Sequence, residues 1–148
     1  MIEVIKDSRV PDFEQKTEYS AGYDLYACVD EPIVIHPMQT VLIPTGIKLN
    51  MAKHPYLFGM VVPRSGMSLK TNLRICNSPG IIDADYQGEV KIIMQNIQQN
   101  GDCIIQPLDR IAQIVFTQMN MSTDIRFVDE FESSSERGSN GFGSTGNK

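Results

Sequence analysis

The 148-residue sequence has only three cysteines, two histidines and no apolar run long enough to cross a membrane, and each shortage removes a class of protein. Cys28, Cys76 and Cys103 are odd in number and widely spaced, which argues against a disulfide framework and fits a reducing compartment. Each is expected to be a small buried hydrophobe. His36 and His54 are the only histidines and no C-x-x-C pair exists, so zinc-dependent deamination lacks its ligands. Basic residues are outnumbered, 13 against 18 acidic, and the net charge of −5 repels nucleic acid. Any polyanion binding must therefore be local. Charged residues enter within the first few positions of "MIEVIKDSRV", so neither a signal peptide nor a membrane span can be drawn, and a soluble intracellular protein is expected. No internal repeat and no long helical pattern is evident.

What the chain does have is one domain's worth of short β-branched runs. An apolar fraction of 41% and a charged fraction of 21% place it in the globular range. The runs "IEVIK", "PIVI", "TVLIPTGIKLN", "LFGMVV", "EVKIIMQNI", "CIIQP", "RIAQIVFTQM" and "IRFV" alternate with Gly, Pro and Asn breaks. Many short strands at this spacing predict an all-β sandwich, jelly roll or barrel. In "EVKIIMQN", alternation puts Val90, Ile92 and Met94 on a core face and Lys91, Ile93 and Gln95 on the other, with Ile93 implying that the second face is partly covered. The one helical candidate is a short turn within "RSGMSLKTN", after a serine cap. A β domain over residues 1–131 is followed from Glu132 by glycine and serine, the composition of a mobile tail over residues 132–148.

Five stretches carry more small, polar and charged residues than turns alone require. They are "AGYDLYA", "PRSGMS", "NSPGIIDADYQGEV", "DRIAQIVF" and the tail segment "RGSNGFGSTG". Arg64, Ser65 and the Gly66 amide make a compact set of phosphate donors, or an ordinary turn. Asp83 and Asp85 read equally as hairpin-tip residues or as a general base beside an aromatic wall, Tyr86. Asp24 lies between apolar neighbours and needs a partner or a metal. Gln113, inside an apolar strand, either faces solvent or has a specific partner. His36, His54, Lys70, Arg74 and the eight methionines read as structural or solvated.

Taken in order, the five stretches resemble the motifs of the trimeric dUTPases, from Ala21 to Gly146. The resemblance implies a distorted jelly-roll (β-clip) fold, a homotrimer with active sites at subunit interfaces, and magnesium-dependent hydrolysis of dUTP to dUMP and pyrophosphate. Such an activity limits uracil in DNA and supplies dUMP for thymidylate synthesis. It further implies that Asp83 activates the attacking water, that Tyr86 excludes a 2′-hydroxyl, and that Asn77 reads uracil. Arg64, Ser65, Gly66 and Gln113 are implied to hold phosphates, and Asp24 to hold Mg2+ through water. The tail would close over bound nucleotide, with Phe142 on the uracil ring and Arg137, Gly143, Ser144 and Thr145 at the γ-phosphate. No nucleic-acid or membrane partner is expected. The related dCTP deaminases place a catalytic glutamate where this chain has Ile93, which disfavours deamination. A non-catalytic regulator on the same scaffold would release no pyrophosphate.

Overall fold

The computed structural model describes residues 1–120, 124–132 and 135. It holds ten strands and one short helix among these residues: β1 (Glu3–Lys6), β2 (Tyr23–Tyr26), β3 (Ile33–Ile35), β4 (Thr40–Asn50), β5 (Leu57–Val62), α1 (Ser65–Lys70), β6 (Leu73–Ile75), β7 (Gly80–Ile82), β8 (Glu89–Asn96), β9 (Cys103–Ile105) and β10 (Arg110–Gln118). All pairings are antiparallel. Two four-stranded sheets, β1-β4-β8-β6 and β2-β10-β5-β7, are joined by the two-stranded β3-β9 ribbon in a jelly-roll arrangement.

Alternation decides which side of each strand is inside. In β8, Val90, Ile92 and Met94 are buried, Lys91 is exposed, and Ile93 and Gln95 are half-buried, as their spacing predicts. These side chains meet Leu25, Ile43, Ile105 and Ile114 in a single core. The two buried polar residues there are satisfied. Thr45 Oγ1 donates to the Val90 carbonyl at 2.6 Å, and Asn96 Nδ2 donates to the carbonyls of Ile35 and Gly101 at 2.9 and 3.0 Å.

The fold carries a backbone repeat that the spacing of the β-branched runs does not mark. The corners entering β4 and β10 are built alike: each carries a proline, Pro37 or Pro107, followed by a residue with φ of 61°, Met38 or Leu108. In each the turn closes with an N–H to C=O bond, Gln39 to His36 at 3.0 Å and Asp109 to Gln106 at 3.1 Å. A side chain then accepts from the turn's first amide: Gln39 Oε1 from His36 N at 2.8 Å, and Asp109 Oδ2 from Gln106 N at 2.7 Å. Non-glycine residues rarely adopt this φ, and the paired bonds hold them there.

Several expectations need correction. Arg64, with extended φ and ψ, caps α1 and offers it no side-chain bond, while Ser65 is the first helical residue. Only Cys28 is buried; Cys103 is half-buried and Cys76 exposed. "IRFV" forms no strand: it pairs with no other segment among the described residues, and Ile125 and Phe127 are exposed. The "NSPGIIDADYQGEV" segment is no simple hairpin: β7 pairs with β5 and β8 pairs with β4 and β6, so Asp83 to Gly88 cross between sheets. Strands β2, β6 and β7 escaped the sequence pattern because each mixes its few apolar residues with Asp24, Arg74 or Gly80, whereas the equally short β1, β3 and β9 carry β-branched runs.

Candidate active site

A one-residue slip creates the polar face on which the first group of candidates stands. On the β4 corner the ladder pairs Ile43 with Ile92, both buried in the core. At the same place on the matching corner, Gln113 pairs with Asp24. Between them the register shifts at Arg110 to Ala112, so Ile111 and Ala112 both turn inward. The bulge reverses the phase of β10, and Gln113 and Asp24 face away from the core.

Asp24 is the hub of this face. Its side chain is only 13% exposed, and its Oδ1 accepts from Arg64 Nε at 2.7 Å while Oδ2 accepts from Arg110 Nη1 at 3.3 Å. Gln113 Nε2 donates to the Pro63 carbonyl at 3.0 Å, which ties β10 to the turn that presents Arg64. The reading of Gln113 as merely solvent-facing is thereby replaced by a specific contact. Ser65 and Gly66 are exposed in the first turn of α1, and a side chain at Gly66 would meet no atom within 4 Å. Packing does not demand that glycine; its backbone is simply left open to approach. Beside it, Arg64, Lys70, Asp109 and Arg110 border a cleft of about 410 Å³. Lys70 is thus not just a solvated charge, whereas Arg74 is structural, donating to the carbonyls of Thr71 and Leu73. Arg110 was missed by sequence reasoning. Its only signal was a charge at the start of an otherwise apolar strand.

The second group follows β7. Asp83 is exposed at the head of a turn closed by Tyr86 N donating to the Asp83 carbonyl at 3.1 Å. Tyr86 lays its ring back along the loop, and its hydroxyl donates to the Glu89 carbonyl at 3.1 Å. Asp83 borders two hollows, one of about 290 Å³ with Ile82, Tyr86 and Lys91, and one of about 460 Å³ with Pro55, Asp85 and Met119. Asn77 is exposed at the entry to β7, its amide close against Gly80.

The two groups do not meet within one chain. Gln113 pairs with Val62 and Ile82 pairs with Gly59, so their anchor points lie three residues apart on β5. That is about 10 Å along the strand, and the flanking strands β10 and β7 add about 10 Å across. Asp83 lies one residue farther out. Arg137, Phe142, Gly143, Ser144 and Thr145 lie outside the described residues.

Among the described residues no cluster of three or more His, Cys, Asp or Glu forms a metal cage. Two carboxylates stand next to the phosphate-type donors: Asp109, which accepts from Gln106 N at 2.7 Å in its own turn, and Asp24, which is held by Arg64 and Arg110. A carboxylate already held by two guanidinium groups is a poor direct ligand but still accepts from a metal-bound water. That donor chemistry fits Mg2+, which keeps waters and rests mainly on substrate phosphates.

The sequence model of the dUTPase family matches residues 8–146. This chain belongs to the dUTPase family. It is 44% identical over 146 residues to the deoxyuridine 5′-triphosphate nucleotidohydrolase of Legionella pneumophila strain Paris, covering 96% of this chain and 93% of that one. Against the enzyme of the same name from Neisseria meningitidis serogroup C, identity is 41% over 144 residues, with the same two coverages. The fold is similar to the dUTPase of Staphylococcus bacteriophage 80alpha solved with dUpNHpp, with a TM-score of 0.79, 28% identity, and 99% and 98% of the two chains covered. It is also similar to a dUTPase of S. aureus phage phi11, described with a structural Mg(II) ion, with a TM-score of 0.74, 26% identity, and 90% and 99% covered.

Proposed function

We propose that this dUTP diphosphatase cleaves dUTP to dUMP and pyrophosphate by water attack at the α-phosphorus, in sites shared between the chains of a homotrimer. Asp83 accepts a proton from the water as its oxygen bonds to phosphorus. The bond to the oxygen bridging the α- and β-phosphates breaks, and pyrophosphate leaves. Arg64 and Gln113, with Ser65 and the Gly66 amide, hold the phosphate chain. Asn77 presents an amide whose donor and acceptor suit the imide edge of uracil, and Tyr86 packs on the sugar. Mg2+, when bound, neutralises charge on the triphosphate oxygens, and Asp24 holds its water shell. Residues 132–148 serve as a lid, with Phe142 resting on the base and Arg137, Gly143, Ser144 and Thr145 at the γ-phosphate.

The observation that carries the shared site is the separation of Asp83 from Arg64 and Gln113 across β5. Water, phosphate and carboxylate must lie within hydrogen-bond reach of one another, and about 10 Å along one axis alone exceeds it. A second copy brings its own Asp83 to the first copy's phosphate donors. The test is pyrophosphate release with magnesium from dUTP, dCTP, dTTP and UTP. Turnover of dUTP should exceed the others by orders of magnitude, and equal rates on all four, or none on dUTP, would end this reading.

A further inference from the structure

Gly88 closes the crossing loop two residues after Tyr86, and the reason it is glycine is not its backbone. Its φ lies outside the left-handed range, in contrast to Gly46 and Gly101. A left-handed φ is therefore not what calls for glycine here. What a side chain there would meet is the Tyr86 ring, which would have to shift. A Cβ at position 88 would lie 2.6 Å from Cζ and 3.0 Å from Cε2, and closer still to the hydroxyl. All three of its nearest neighbours are atoms of that one side chain.

We propose that Gly88 is a positioning residue for sugar discrimination: its bare backbone is the bed on which the Tyr86 ring lies, and it fixes where the wall against the deoxyribose stands. The inference rests on the reading of Tyr86 as that wall. Two contacts meet the phenol end of the ring. Gly88 lies against its hydroxyl, Cζ and Cε2, and the Glu89 carbonyl takes its hydroxyl at 3.1 Å. Glu89 is itself anchored, since its Oε1 accepts from Gly46 N at 2.9 Å and its backbone pairs with Lys48 in the sheet. A wall that excludes one hydroxyl group works only if it cannot retreat or advance by the size of that group. Real Cβ contacts begin above 3 Å, so a methyl group at 88 lifts the ring off its bed and pulls the phenol from the carbonyl. The cost falls on discrimination, because dUTP loses its fitted surface while UTP had none to lose.

Two single variants and their combination test this, each read for dUTP and UTP separately. Gly88→Ala should lower the dUTP-over-UTP ratio of kcat/KM by tenfold or more. In a Tyr86→Ala background the same substitution should change that ratio less than twofold, because the group it acts through is gone. Equal losses in both backgrounds would make Gly88 a general structural residue and overturn the proposal. Should Gly88→Ala fail to fold, Gly88→Ala/Tyr86→Ala must recover the melting temperature of Tyr86→Ala, since only the ring obstructs the methyl group. A double variant that still fails overturns the proposal. If Tyr86→Ala alone leaves the ratio at the wild-type value, the wall reading falls first and this inference falls with it. An intact ratio in Gly88→Ala with a collapsed one in Tyr86→Ala removes Gly88 only.

Discussion

Asp83 and Asp24 are both carboxylates near the proposed chemistry, yet their surroundings assign them different work. Asp24 is nearly buried, and each of its oxygens accepts from one guanidinium, of Arg64 or Arg110, so it orients cations and keeps acceptor capacity for a water. Asp83 is exposed at a turn, and in the proposed reaction its carboxylate takes the proton of the attacking water. Asp83→Asn should therefore lower kcat by about 10²–10⁴, the usual span for a lost general base, while dUTP affinity measured by equilibrium titration stays within a few-fold. A loss of affinity matching the loss of rate would mean that Asp83 binds rather than activates. The types of these residues were legible in the sequence because the chemistry restricts them: Asp83, Tyr86, Arg64 and Gln113 stand out against short apolar strands. Arg110 and Gly88 were not. Arg110 finds Asp24 across 86 positions of chain, and Gly88 matters through a ring that folds back onto it, so neither leaves a local pattern.

At the scale of elements, the corners and loop junctions decide where strands begin. One junction packs the loop after β1 against the register shift in the middle of β4: Asp7 N donates to the Gly46 carbonyl at 2.8 Å, and a Cβ on Gly46 would meet Cys28 Sγ at 2.8 Å. Arg9 bridges this knot, bonding Asp7 Oδ1 and Oδ2 at 2.9 Å each, reaching Asp30, and approaching Cys28 Sγ at 3.3 Å. The Arg9 hydrogen bond holds the Asp7 carboxyl well below the usual carboxylate range, and burial pushes the Cys28 thiol up, away from its reactive form. A folded-state value below the unfolded one means that the ionised pair stabilises the fold above about pH 4. That stabilisation fades as pH falls towards the lower folded value. Asp7→Asn should accordingly melt at a lower temperature than wild type at pH 7, with the gap shrinking steadily below about pH 4; a gap constant from pH 7 to pH 3 would show that the charge is irrelevant. None of this was readable from "VIKDSRVP", because Gly46 and Cys28 reach it only through sheet pairing. The long strands β4, β8 and β10 were readable, since eight or more residues dominated by apolar and β-branched side chains outvote local noise.

For the whole molecule, the division of candidates between the two ends of β5 predicts complementation between inactive chains. Co-expressed Asp83→Asn and Arg64→Ala chains, each inactive alone, should give trimers in which one junction joins an intact Asp83 to an intact Arg64. With equal and random mixing, the preparation should recover about one quarter of the wild-type rate, since a cyclic trimer of both types has a single repaired junction. Rates no higher than those of the separate variants would place the whole site within one chain. Fold class was legible at this scale from strand spacing alone, but the split was not, because it depends on which strands flank β5. The split also bears on how the catalyst behaves in a cell. With the site shared as proposed, a lone copy does no chemistry, so output per copy would climb with abundance until assembly saturates, and halving a scarce supply would cut throughput by more than half.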